Sequence, residues 1–163
     1  MIIILYIIFS FLFDSITTNY LNYELTNLSY FKTIYTIISL VIVYEYFRNK
    51  NKYLITLLII SFIFDIRYTN TFILNTVIFI VIYILNILLD NNLPNNILTI
   101  NIKSYLSIVT YNVLTYLILF LSNYNHYEIS LLGPILFKSL PMTVIYTTIS
   151  YLVLKKINPK QLK

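Results

Sequence analysis

Six apolar stretches, at about 1–16, 29–47, 53–67, 71–89, 104–122 and 134–155, alternate along the chain with short polar or charged clusters. A membrane-crossing helix needs about 20 apolar residues, within a range of roughly 17–25, so the pattern predicts about six spans. The third, over 53–67, is short, and is expected to tilt little, to thin the bilayer locally, or to be buried among its neighbours. The gaps hold the right residues for turns: a basic run from Asn49 to Lys52, the polar loop 90–96 with Pro94, and a third polar loop at 122–128. Gly133 and Pro134 open the last helix, where a proline in the first turn sacrifices no hydrogen bond. Pro141 lies seven residues further on and predicts a kink or a short broken start to the final span. The chain shows no sequence repeat and no soluble linker, so 1–163 reads as a single integral membrane domain.

Polar positions inside the apolar stretches carry more information than the apolar ones. In lipid, helices associate through packing and interhelical hydrogen bonds, so a polar stripe marks a face that meets a neighbour. Ser104, Ser107, Tyr111, Thr115 and Ser122 fall within about 60 degrees of one face of the fifth helix. Ser139, Thr143, Thr147 and Ser150 form a similar stripe on the sixth, and Asn75 and Asn86 share a face of the fourth. These faces are expected to look inward, either as bundle glue or as the lining of a ligand cavity.

Composition strengthens the membrane reading. Hydrophobic residues make up 59% of the chain and charged residues 10%, with a mean hydropathy of +0.80, too little polar surface to cover a soluble globule of this length. The N-terminal stretch lacks the basic start and small-residue cleavage site of a secretory signal and reads as a retained first helix. Alanine is absent and Gly133 is the one glycine, a bias expected of an AT-rich bacterial genome.

The net charge of +5 does not point to nucleic acid, because the basic residues stand singly or in pairs at the ends of apolar runs. With the N-terminus inside, Arg48, Lys50, Lys52, Lys103, Lys155, Lys156, Lys160 and Lys163 face the cytoplasm, against Lys32, Arg67 and Lys138 outside. The positive-inside rule therefore predicts both termini in the cytoplasm of a bacterial cell membrane.

Ionisable groups within spans are costly and serve as functional hypotheses. Asp14 and Asp65 fall near the outer ends of their helices, level with Lys32, Arg67 and Lys138. They are expected either to pair with two of these cations and so fix how helices dock, or to reach headgroup water. Glu45 is expected to be solvated beside Arg48. No cysteine is present, and His126 with Glu128 makes a poor metal site. With no paired catalytic groups and no glycine-rich phosphate loop, neither an enzyme nor a cofactor is expected.

The stretch LITLLIISFIFDIRYTNTFILNTVIFIVIYILNILLDNN, Leu54 to Asn92, resembles the segment of the MreD family of rod-shape-determining proteins in which a short apolar helix ends in an aspartate and a second long helix follows. The closing stretch ILFKSLPMTVIYTTISYLVLKKI, Ile135 to Ile157, resembles that family's last helix, with its proline and basic tail. Where the family usually carries glycines around the aspartate, this chain has Ile60, Ser61, Thr69 and Asn70.

The resemblance implies a non-enzymatic subunit of the cell-elongation machinery that binds the single-span protein MreC. It would stand beside RodA, a class B penicillin-binding protein and, indirectly, MreB filaments during peptidoglycan synthesis. It makes Asp65 the family's aspartate; Asp14, Arg67, Lys138 and Pro141 are further fold or partner determinants on the reading of the spans alone. It also implies the all-α bundle of about six spans shared with the substrate-binding S components of energy-coupling-factor vitamin transporters. An S component is the alternative function.

Overall fold

The computed structural model describes residues 2–20, 34–47, 49–69, 73–122 and 132–157. Among these residues the chain is all-helical: α1 (Ile2–Tyr20), α2 (Tyr35–Tyr44), α3 (Lys50–Phe64) extended by a π-helical turn (Asp65–Thr69), α4 (Leu74–Asn92), α5 (Ile97–Leu121) and α6 (Leu132–Ile157). By length and composition α4 and α6 are each apolar enough to cross a membrane. Several boundaries depart from expectation. α2 has ten residues, about 15 Å of helix at 1.5 Å per residue and half of what a crossing demands. Residues 29–33 of the expected stretch lie outside the described residues. α5 begins at Ile97 and α4 runs to Asn92, so Lys103 and Asp90, both expected in or beside loops, sit on helices.

The arrangement follows from burial. All ten residues of α2 are buried, and it packs against α1, α5 and α6, with a smaller contact to α3. A short helix that is apolar all round is stable only at the centre of a bundle. α4 packs against α3 and α5, and α5 against α6. The outer helices keep a large apolar surface outside: Ile4, Ile8 and Leu12 on α1, Ile55, Ile59 and Ile63 on α3, and Ile145, Ile149 and Leu152 on α6 are all exposed.

The inward stripes are as the sequence predicts for Ser104, Ser107 and Tyr111, for Ser139, Thr143, Thr147 and Ser150, and for Asn75 and Asn86, all buried. Thr115 is half-buried and Ser122 is exposed, so that stripe ends before the helix does. Several of these groups bond to their own helix: Thr143 Oγ1 donates to the Ser139 carbonyl at 2.7 Å and Asn86 Nδ2 to the Ile82 carbonyl at 2.9 Å. Their small size then serves close helix approach more than cross-helix bonding. Bonds between helices do occur at Tyr111 Oη to Asn75 Oδ1, 2.8 Å, Asn101 Nδ2 to Thr148 Oγ1, 3.1 Å, and Ser10 Oγ with Tyr146 Oη, 2.8 Å.

α6 corrects one expectation. It is continuous from Leu132 to Ile157 with Pro141 inside it, so the proline does not make a broken start. Pro141 is exposed, and its ring removes the donor that would serve the Phe137 carbonyl. Pro141→Ala restores that donor and is expected to raise the thermal midpoint of the detergent-purified protein. A lower midpoint would mean that the proline itself is needed for α6 to pack.

Candidate functional site

Charged side chains gather at the two ends of the bundle, and each group does a different job. Helices begin with unsatisfied N–H groups that need acceptors. α3 and α5 supply their own: Asn49 Oδ1 accepts from the Asn51 and Lys52 amides, and Asn96 Oδ1 from the Thr99 amide at 2.8 Å. α2 and α4 cannot, because their N-cap residues are Ile34 and Ile73, with no side-chain acceptor. A distant aspartate supplies each.

Asp14, on α1 and 5% exposed, accepts at Oδ1 from the Tyr35 amide, 2.9 Å, and at Oδ2 from the Thr36 amide, 2.7 Å, and the Thr36 hydroxyl, 2.6 Å. Asp65, in the π-helical turn and 1% exposed, accepts at Oδ1 from the Asn75 amide, 2.9 Å, and at Oδ2 from the Thr76 amide and hydroxyl, both 3.1 Å. Asn75 Nδ2 adds a further bond to Asp65 Oδ1 at 3.0 Å. Negative charge at a helix N-terminus also meets the positive end of the helix dipole. Ile73 has φ 78°, a left-handed conformation that strains a β-branched residue and persists only where its surroundings impose it. The Asp65 bonds across that turn are such an imposition.

Each aspartate network reaches a tyrosine of the α5–α6 pair. Tyr35 packs edge-on against Phe13 and Tyr146 at centroid distances of 4.8 and 4.7 Å, while Tyr146 Oη meets Ser10. On the other side Asn75 joins Asp65 to Tyr111, whose ring packs against Phe64 and Phe79. Among the described residues, helix N-termini are thus partners of both carboxylates. Arg67 and Lys138 are exposed; Lys32 lies outside the described residues.

The opposite end carries a buried ion cluster. Lys103, fully buried on α5, donates from Nζ to Glu45 Oε1 at 2.6 Å and to Asp90 Oδ1 at 2.9 Å. The Glu45 side chain is 4% exposed and that of Asp90 31%. Asn95 Nδ2 donates to Glu45 Oε2 at 3.0 Å. This corrects two expectations. The Glu45 side chain is buried and paired rather than solvated, and Lys103 is an interior cation rather than a loop charge that sets orientation. Lys50 Nζ donates to the Tyr44 carbonyl at 3.1 Å and stands 3.3 Å from the Tyr44 ring centroid, a cation at the negative end of α2. The ten-residue core helix is therefore held by Asp14 at its start and by Lys50 and Lys103 at its finish.

The sequence signal for Lys103 was available. It stands one turn before Ser107 on the inward stripe, a position where a cation needs a buried partner. The partners themselves, 58 and 13 residues away, were not. Near this end an open groove of about 710 Å³ is lined by Ile3, Tyr46, Phe47, Asn49, Lys50, Asn51 and Lys52. Among the described residues, no group of three His, Cys, Asp or Glu comes together.

Every carboxylate in these networks accepts from amide, hydroxyl or ammonium donors. What the arrangement does is hold helices in register. Comparison of the chain with protein-family models, curated proteins and solved structures finds no match.

Proposed function

We propose that this protein is a non-enzymatic membrane subunit of a bacterial cell-elongation complex, of the MreD kind, which docks an MreC-like single-span protein against its bundle. It works by helix-to-helix association and not by turnover. In this reading the six helices lie in the cytoplasmic membrane with both termini inside, α2 being the core of the bundle. RodA, a class B penicillin-binding protein and, indirectly, MreB filaments are its neighbours during peptidoglycan synthesis.

The observation that carries the proposal is how the buried polar groups are used. Asp14, Asp65, Glu45, Asp90 and Lys103 all tie one helix to another, and the outer faces of α1, α3 and α6 are apolar. Such a body presents rigid apolar helix faces, as a docking subunit requires. Asp65 supports the family reading further: it closes a short apolar helix and caps the long one that follows, the position of the aspartate in the resembling segment.

Co-purification tests this. The tagged full-length protein is extracted from its own cells in mild detergent, and both proteins and small molecules are identified by mass spectrometry. Recovery of a single-span coiled-coil protein with cell-wall synthases is the expected result. Recovery of a pair of ATPases with a bound vitamin would replace the proposal with the S-component function.

A further inference from the structure

The first arm of each of the two N-terminal helical hairpins ends on the same pattern: Ser10-Phe11-Leu12-Phe13-Asp14 in α1, and Ser61-Phe62-Ile63-Phe64-Asp65 at the end of α3. Upstream, at the same offset, Ile4 and Ile8 match Ile55 and Ile59. A chain this rich in Ile, Leu and Phe produces matching letters easily. Matching burial is harder to produce. Ser10 and Asp14 are buried, as are Ser61 and Asp65, while Ile4, Ile8 and Leu12 are exposed, as are Ile55, Ile59 and Ile63.

The second arms agree in letters, with Tyr35-Thr36-Ile37-Ile38 in α2 against Asn75-Thr76-Val77-Ile78 in α4, though α2 is buried all round and Val77 of α4 is exposed. Three bonds recur in both hairpins. In each hairpin the residue before threonine gives its amide to Oδ1, and the threonine gives amide and hydroxyl to Oδ2. Composition alone does not produce the letters, the first-arm faces and these bonds in the same register. The difference is in the connection: Asp14 lies 21 residues before Tyr35, and Asp65 ten before Asn75. Loops tolerate such insertions.

We infer that α1–α2 and α3–α4 are two copies of one helical hairpin, repeated in parallel along the chain, and that Asp14 and Asp65 are equivalent positioning residues within them. Each aspartate orients the return helix of its own copy, and α5–α6 closes the bundle by giving Tyr146 to one copy and Tyr111 to the other. Parallel repeats of this kind are an established way of building helical membrane proteins. The inference corrects the expectation that the chain has no repeat, and it is independent of the family proposed above.

An arm exchange tests it in the full-length protein. Residues 4–15 are replaced by residues 55–66, which amounts to Leu5→Thr, Tyr6→Leu, Ile7→Leu, Phe9→Ile, Leu12→Ile and Ser15→Ile. A control receives residues 54–63 at positions 4–13 instead, one position out of register, with Asp14 and Ser15 kept. Hydrogen exchange is followed by mass spectrometry at the Tyr35 and Thr36 amides and at the Asn75 and Thr76 amides.

The in-register exchange is expected to keep the protection of Tyr35 and Thr36, and the control to lose it by about tenfold or more, the weight of a charge-assisted bond. Asp14→Asn is expected to speed exchange at Tyr35 and Thr36 and to spare Asn75 and Thr76; Asp65→Asn is expected to do the reverse. An in-register exchange that behaves like the control would overturn the inference, as would an Asp14→Asn variant whose Tyr35 and Thr36 amides stay protected.

Discussion

Lys103→Met is expected to destabilise the bundle by about 3–5 kcal/mol, the usual cost of removing one partner from a buried ion pair. Methionine retains the length and the apolar stem, so packing changes little and the charge is what is lost. Glu45, 4% exposed, then keeps only the Asn95 amide among the bonds described, at 3.0 Å. Asp90, at 31% exposed, can turn towards solvent and accounts for less of the loss. Glu45→Gln combined with Lys103→Met removes both charges and is expected to recover much of the stability, since the penalty comes from an unpaired buried charge. The measurement is the temperature at which half of the detergent-purified protein remains monodisperse. A Lys103→Met variant as stable as the parent would mean that water already screens the cluster.

Asp14→Ala and Asp65→Ala are each expected to cost about 2–6 kcal/mol, because each strands two helix amides at about 1–3 kcal/mol per unsatisfied group. Asparagine retains one acceptor oxygen, so Asp14→Asn and Asp65→Asn should lose less. Arg67→Ala and Lys138→Ala, at exposed positions, should change stability by no more than about 0.5 kcal/mol. That ordering separates capping from ion pairing. If Arg67→Ala or Lys138→Ala matched Asp65→Ala on the same thermal scale, a cation would be the true partner of the carboxylate. The two alanine variants should also differ in place: loss of Asp14 loosens α2 against α1, and loss of Asp65 loosens α4 against α3.

These predictions concern residues that the sequence flags without explaining. Asp14 and Asp65 stand out because a carboxylate inside an apolar run is costly, yet the sequence alone suggests cations as partners, since Lys32, Arg67 and Lys138 lie at the same level. The structure provides helix N-termini, which carry no letter of their own. The hint was negative: isoleucine at both N-caps, Ile34 and Ile73, means that the acceptor must come from elsewhere. Lys103 misled for a related reason. Counted as a loop charge because the apolar run begins at 104, it lies on a helix that starts at Ile97.

What the sequence determined by itself is the all-helical class, the apolar envelope and the inward direction of Ser104, Ser107, Tyr111, Asn75, Asn86 and the Ser139–Ser150 stripe. These follow from a period of 3.6 residues and from the solvent each face prefers, both local properties. Tertiary structure alone decided that α2 is a buried core helix, that Glu45 meets Lys103 across 58 residues of chain, and that each aspartate closes the helix after its own. Those contacts depend on how whole helices are rotated and shifted against one another. The burial of many side chains at once sets that rotation, and no short stretch of the sequence encodes it.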